Sequence, residues 1–212
     1  MVEQRTSETP TTEAVIEELK QKIRTEGRVL PRGILNVSRF LNHQVDTLLM
    51  HRLGYALCTE LQKYTGSNLW PTKVLTVEIS GIAPAVGVGH ALGAPMIFAR
   101  KQRNDVMPET MLTSEAPSHT KGGKTSILVL PELLTKSDRV FIVDDFLATG
   151  ETIKALIDIT EQSGATLLGV GAVIEKAFEN GRETLQASYP NLPIISLVTI
   201  SSMDQETGIS FQ

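Results

Sequence analysis

Residues 140–152 read Val140-Phe141-Ile142-Val143-Asp144-Asp145-Phe146-Leu147-Ala148-Thr149-Gly150-Glu151-Thr152. Four consecutive apolar residues suit a strand buried on both faces of a parallel sheet. Two adjacent carboxylates and a small-residue loop follow, directly ahead of a helical pattern. Ligands of such sheets sit beyond the carboxyl ends of the strands, where Asp144 and Asp145 are expected. A carboxylate can accept two hydrogen bonds from a vicinal diol. Ala148, Thr149, Gly150, Glu151 and Thr152 can turn successive backbone N–H groups toward a phosphate at the positive end of the following helix. A ribose 5-phosphate satisfies both halves. A plain turn whose acid caps the helix needs one carboxylate, not two.

Outward from this stretch, strands alternate with helices. Strands are expected at 73–77, 95–99, 139–143, 167–174 and 194–199, with a further extended piece at 126–130. Helices are expected at 83–92, 151–162 and 181–187. That alternation predicts an α/β fold with a mostly parallel twisted sheet, flanked by helices and joined by right-handed crossovers. Ahead of it lie two helical patterns. Val15, Ile16, Leu19 and Ile23 mark a helix over 13–26 closed by Gly27, and Leu49, Leu53, Leu57 and Leu61 mark one over 47–64 with Asp46 as N-cap. Residues 29–44 between them read as extended segments and turns. The part before strand 73–77, together with 209–211, is left over to form a small cap over the site.

The chain has 212 residues, within the range of one α/β domain. Residues 13–212 are expected to form it, and residues 1–12, rich in Thr, Ser, Glu and Pro, to be a disordered tail. Net charge is −4, so no general attraction to nucleic acid follows, though a local cationic pocket is compatible with it. No apolar run approaches the ~20 residues needed to span a bilayer, and the start has no hydrophobic signal core. The expected location is the cytoplasm. Cys58, the single cysteine, lies in an apolar helical pattern and reads as a small core residue, not a nucleophile.

A second anion site is expected where strand 73–77 runs into Glu78-Ile79-Ser80-Gly81-Ile82-Ala83-Pro84, because Ser80 and Gly81 occupy a strand-to-helix turn. Arg100 and Lys101 stand at the carboxyl end of strand 95–99 and face the same region; Arg103, Lys121 and Lys124 read equally well as solvated charges. The stretch 104–124 is a long loop for a compact domain, which points to function or mobility. Two apparent motifs are set aside. Gly122-Gly123-Lys124-Thr125 lacks the first glycine of a nucleoside triphosphate loop and precedes a strand rather than a helix. The run from Gly87 to Gly93 lies inside a helical pattern, so its glycines are expected to permit close helix packing rather than dinucleotide binding.

The 140–152 stretch resembles the phosphoribosyl pyrophosphate (PRPP) signature of the type I phosphoribosyltransferases. Leu35 to Gln44, Ile79 to Pro84, Phe98 to Lys101 and Val173 to Phe178 sharpen the likeness toward the xanthine phosphoribosyltransferases of bacterial purine salvage, over nearly the whole chain. The resemblance implies a type I phosphoribosyltransferase fold with an N-terminal hood over the base site. It implies transfer of the phosphoribosyl group from PRPP to N9 of xanthine, giving xanthosine 5′-monophosphate and pyrophosphate. Ala148, Thr149, Gly150, Glu151 and Thr152 would bind the 5-phosphate, Ser80 and Gly81 the pyrophosphate, and Leu35, Asn42 and Lys176 the base. Asp144, Asp145, Arg100 and Lys101 would serve catalysis. Mg2+ would arrive mainly on PRPP, without a dedicated metal site. The stretch 104–124 would be a lid, and the chain a homodimer with neither a nucleic-acid nor a membrane partner. Glu151 departs from the family's loop and is expected to point away, at the helix's first turn, where an acid suits the dipole.

Lys176 has donors only, which suits a purine carbonyl and opposes an adenine amino group. Asn42 offers a donor and an acceptor, fitting xanthine's additional carbonyl and ring N–H but also guanine's edge. Guanine, hypoxanthine or adenine transfer therefore remains the alternative within the enzyme class. A PRPP-sensing purine regulator of the same fold is the alternative outside it, and it would need a DNA-binding element for which the residues before Glu13 are too few.

Overall fold

The structure is a computed structural model that describes residues 10–104, 107–117 and 123–212. The chain opens with α1 (Thr12–Glu26), then a hairpin of β1 (Arg28–Leu30) and β2 (Ile34–Asn36), one π-helical turn over Ser38–Asn42, and α2 (Thr47–Thr65). There follow β3 (Lys73–Val77), α3 (Ile82–Leu92), β4 (Met96–Ala99), and a hairpin of β5 (Leu112–Pro117) and β6 (Lys124–Val129). The last third holds β7 (Arg139–Leu147), α4 (Glu151–Ser163), β8 (Thr166–Lys176), α5 (Gly181–Ser188), β9 (Ile194–Asp204) and β10 (Gly208–Phe211).

The main sheet has the order β10-β9-β8-β7-β3-β4, all neighbours parallel except the β9–β10 hairpin. β7 lies inside it and explains its apolar run. Phe141 and Val143 enter a core shared with α2 and α3, while Val140 and Ile142 enter one shared with α4. Both faces are covered, so strand periodicity disappears from the sequence. The two helices on the first face approach unusually closely. A Cβ on Gly54 would lie 2.2 Å from the Gly87 backbone, and one on Gly87 2.2 Å from the Met50 carbonyl oxygen. The Gly87 run is thus a packing device, and Gly93 ends α3 with a left-handed φ of 63°.

Several expectations shift. β7 does not stop at Val143: its parallel ladder with β8 continues through Asp144↔Ala172 to Leu147↔Glu175, so the acidic pair lies within the strand. Residues 209–211 do not cap the site. The Asp204 carboxylate accepts the Glu206 and Thr207 N–H groups at 2.8 and 3.3 Å, Gly208 takes a φ of 83°, and the chain returns as edge strand β10. The 104–124 stretch is not one loop, since β5 inside it pairs with β6 and α4 packs beneath the hairpin. The 29–44 segment adds a π turn to its extended pieces. Gly27 closes α1 through its N–H to Ile23 at 3.1 Å, but with an extended φ of −71° instead of a left-handed one. Of the expected tail, residues 1–9 lie outside the described residues; Thr11 Oγ1 accepts the Ala14 N–H, and α1 begins at Thr12. Burial pushes the Cys58 thiol up to about 12, which leaves it inert as a nucleophile.

Candidate active site

The end of β7 brings two carboxylates together where water is scarce: Asp144 and Asp145 are 6% and 5% exposed. Ser80 Oγ donates to Asp145 Oδ1 at 2.9 Å, Asn42 Nδ2 to Asp145 Oδ2 at 3.4 Å, and the Asp145 N–H to Asp144 Oδ1 at 2.9 Å. Burial, and then the charge of Asp145, push the Asp144 carboxyl well above the usual carboxylate range. A cation or several hydroxyl donors arriving here would stabilise the ionised pair.

Gly81 abuts this pair. A Cβ there would lie 2.7 Å from Asp144 Oδ1 and 2.2 Å from Thr76 Oγ1, so the β3–α3 turn can close onto the acids only with glycine. The preceding Glu78–Ile79 peptide is cis. On the other side of the pair, Gly150 takes the left-handed φ of 81° that an L side chain would strain. It starts α4 without a side-chain cap, which leaves the first-turn N–H groups open to an anion. The loop is braced from behind by the start of α5: a Cβ on Gly181 would lie 2.1 Å from the Ala148 carbonyl oxygen and 2.8 Å from Gly150 N.

Two connected hollows surround these loops. A cavity of about 390 Å³ is lined by Asp144, Asp145, the whole Ala148–Thr152 loop, Ser80, Lys101, Leu35, Asn42 and Lys176. An adjoining hollow of about 1060 Å³, shallower, is walled by Glu78, Ile79, Ser80, Arg100 and Lys101. Asn42, Ser80 and Lys101 line both.

The far end of the smaller cavity is assembled from distant parts of the chain. Leu35 comes from β2, Asn42 from the π turn, and Lys176 ends β8. Lys176 Nζ donates to the Gly33 carbonyl and to Glu179 Oε1, both at 3.0 Å, and sits 5.6 Å from the Phe146 ring centroid. Behind it, Arg182 holds the buried Glu175 through Nε–Oε1 at 2.9 Å and also donates to the Ile194 carbonyl at 2.7 Å, fixing the end of β8.

The structure thus gathers Leu35, Asn42, Ser80, Lys101, Asp144, Asp145, Ala148, Thr149, Gly150, Glu151, Thr152 and Lys176 on one cavity, with Gly81 beneath its acids and Arg100 on the neighbouring hollow. Glu151, in the first turn of α4, is among the residues that line the cavity. Arg100 is partly spent. Its Nε lies 2.7 Å from Glu78 Oε2, but the N–H is not aimed at that oxygen, so the contact is an ion pair without a hydrogen bond. Arg103 turns to the Pro108 carbonyl and Lys124 to Glu115, both on the surface; Lys121 lies outside the described residues. Sequence reading missed Ile34, Phe146 and Glu179 at the Lys176 end of the cavity and Glu78 beside the cations. The spacing of Glu179, three residues after Lys176, was the available signal for one of them. Among the described residues no cluster of three or more His, Cys, Asp or Glu could hold a metal ion, and no helix is long and apolar enough to cross a membrane.

Comparison with known proteins assigns the lineage. A phosphoribosyl transferase domain model matches residues 44–189. The xanthine phosphoribosyltransferase of Streptococcus equi subsp. zooepidemicus is 45% identical over 193 residues, covering 91% of this chain and 96% of that protein. The chain belongs to the xanthine phosphoribosyltransferase family. The Deinococcus deserti xanthine phosphoribosyltransferase is 43% identical over 88% of this chain and 93% of its own length. Among solved structures, the adenine phosphoribosyltransferase of Saccharomyces cerevisiae superposes with a TM-score of 0.70 at 23% identity, covering 87% of this chain and 99% of that one. That likeness establishes the type I phosphoribosyltransferase fold expected from the 140–152 stretch.

Proposed function

We propose that this protein transfers the 5-phosphoribosyl group of PRPP to N9 of xanthine, giving xanthosine 5′-monophosphate and pyrophosphate in purine salvage. The observation that carries the reading is the single cavity joining a phosphate loop, an acidic pair and a lysine-ended base pocket. Asp144 and Asp145 hold the ribose hydroxyls and the positive charge that develops at C1 as the bond to pyrophosphate breaks and the bond to N9 forms. The backbone of Ala148–Thr152 holds the 5-phosphate, with Thr149 and Thr152 lining the same cavity. Ser80, Gly81, Arg100 and Lys101 receive the pyrophosphate. Leu35 covers the purine plane while Asn42 and Lys176 read its edge.

The two buried carboxylates fit an Mg2+ ion that brings most of its ligands with PRPP, since two acids alone make an incomplete shell. The ion would supply charge neutralisation for the pyrophosphate. The protein's part is position, and no side-chain nucleophile is required. A homodimer is the assembly we assign. Light scattering at micromolar concentration should return twice the chain mass. Incubation with xanthine, PRPP and Mg2+ should yield xanthosine 5′-monophosphate and pyrophosphate in equal amounts by chromatography, and absence of both products overturns the reading.

A further inference from the structure

Lys176 is the only cation named for the base end, yet a lysine on a long flexible stem does not select an edge unless its ammonium is held. Here it is held. Two of its three N–H groups are committed, one to the Gly33 carbonyl at the tip of the β1–β2 hairpin and one to Glu179 Oε1. Its stem is 13% exposed and the ammonium lies beside the Phe146 ring. The Gly33 carbonyl is fixed by the backbone. Glu179 is a side chain in the short 3-10 turn after β8, and it lines the same cavity as Lys176. Glu179 Oε2 has no protein partner among the described residues.

We infer that Glu179 is a positioning and specificity-determining residue: it aims the remaining Lys176 N–H at the purine and offers a carboxylate oxygen beside it. A donor next to an acceptor complements the O6 and N1–H atoms of a 6-oxopurine. It opposes adenine, whose amino group would face the ammonium and whose unprotonated N1 would face the carboxylate. The pairing also keeps the pocket near electrical neutrality, which suits an uncharged base better than an isolated ammonium would.

The inference rests on the proposed function, and its test separates the two. Glu179→Ala and Glu179→Gln would be made in the full chain, alone and with Lys176→Ala, with melting temperature and KM for xanthine and for PRPP measured in each. Removal of the acid should raise the xanthine KM about tenfold and leave the PRPP KM within about twofold. Glu179→Gln keeps an acceptor oxygen for Lys176 and should recover part of the loss. In the Lys176→Ala background, Glu179→Ala should add clearly less than its full tenfold, because the part of its effect that aims the lysine is already gone. A merely structural role would raise both KM values together with a fall in melting temperature. An unchanged xanthine KM, a matching rise for PRPP, or a fully additive double variant overturns the inference while leaving the proposed function standing. A native chain inactive with xanthine overturns both.

Discussion

The phosphate end and the base end of the cavity are built in opposite ways. The first, where we place the phosphate, is one continuous run, Asp144 to Thr152, arranged by β7, a left-handed glycine and the start of α4, with backbone N–H groups as its proposed donors. The second is gathered across the chain: the Lys176–Gly33 bond spans 143 residues of sequence, and Asn42–Asp145 spans 103. A backbone cradle tolerates side-chain change but not a change in chain path. A side-chain pocket has the reverse sensitivity, and it can be retuned for another base without disturbing the sugar site.

The contrast can be broken at the acids, which serve both ends. Asp144→Asn with Asp145→Asn should reduce turnover by about a thousandfold, with the circular dichroism spectrum retained; normal turnover would remove their assigned roles. At the base end, Lys176→Ala should raise the xanthine KM about thirtyfold and leave the PRPP KM nearly unchanged. At the phosphate end, Gly181→Ala pushes a methyl against Ala148 and Gly150 without touching the cavity, and should raise the PRPP KM about tenfold. Thr149→Ala, which leaves the cradle's N–H groups in place, should change the PRPP KM by no more than about threefold.

The acidic pair also predicts a stability difference. Asp144's folded pKa lies above its ordinary 3.8, so the native state retains this proton more readily than the unfolded chain. The stability tied to that proton is complete below about pH 4 and is lost as pH rises through the folded value. D144N removes the cost of ionising a buried acid. Without ligands it should melt on the order of 3 °C higher than the native chain near pH 8, and the gap should close toward pH 4. A constant gap across that range would contradict the assigned burial cost.

How much of this was legible in sequence follows from the same contrast. The phosphate end was readable because its chemistry is local: a two-face-buried strand, adjacent carboxylates and a glycine before a helix all leave marks within thirteen residues. β3, α2 and α4 were likewise marked by apolar runs and caps such as Asp46, whose carboxylate accepts the Leu49 N–H at 3.0 Å. The length of β7 was not, because its polar last residues are retained by an equally long partner, β8. β5 was hidden by its exposed polar residues, which pair only through β6. At the base end, Leu35, Asn42 and Lys176 came from family resemblance, since nothing in their spacing brings them together. Phe146 emerged only from the folded chain, and Glu179 left no mark in the sequence beyond its three-residue spacing from Lys176.

The most direct test of the two-part site is a panel of steady-state rates with saturating PRPP and xanthine, guanine, hypoxanthine or adenine as acceptor. All four share the sugar end, so kcat/KM differences isolate the base end. Lys176 and Asn42 predict xanthine first, the other 6-oxopurines behind it, and adenine last. An adenine rate equal to or above that with xanthine would contradict the account.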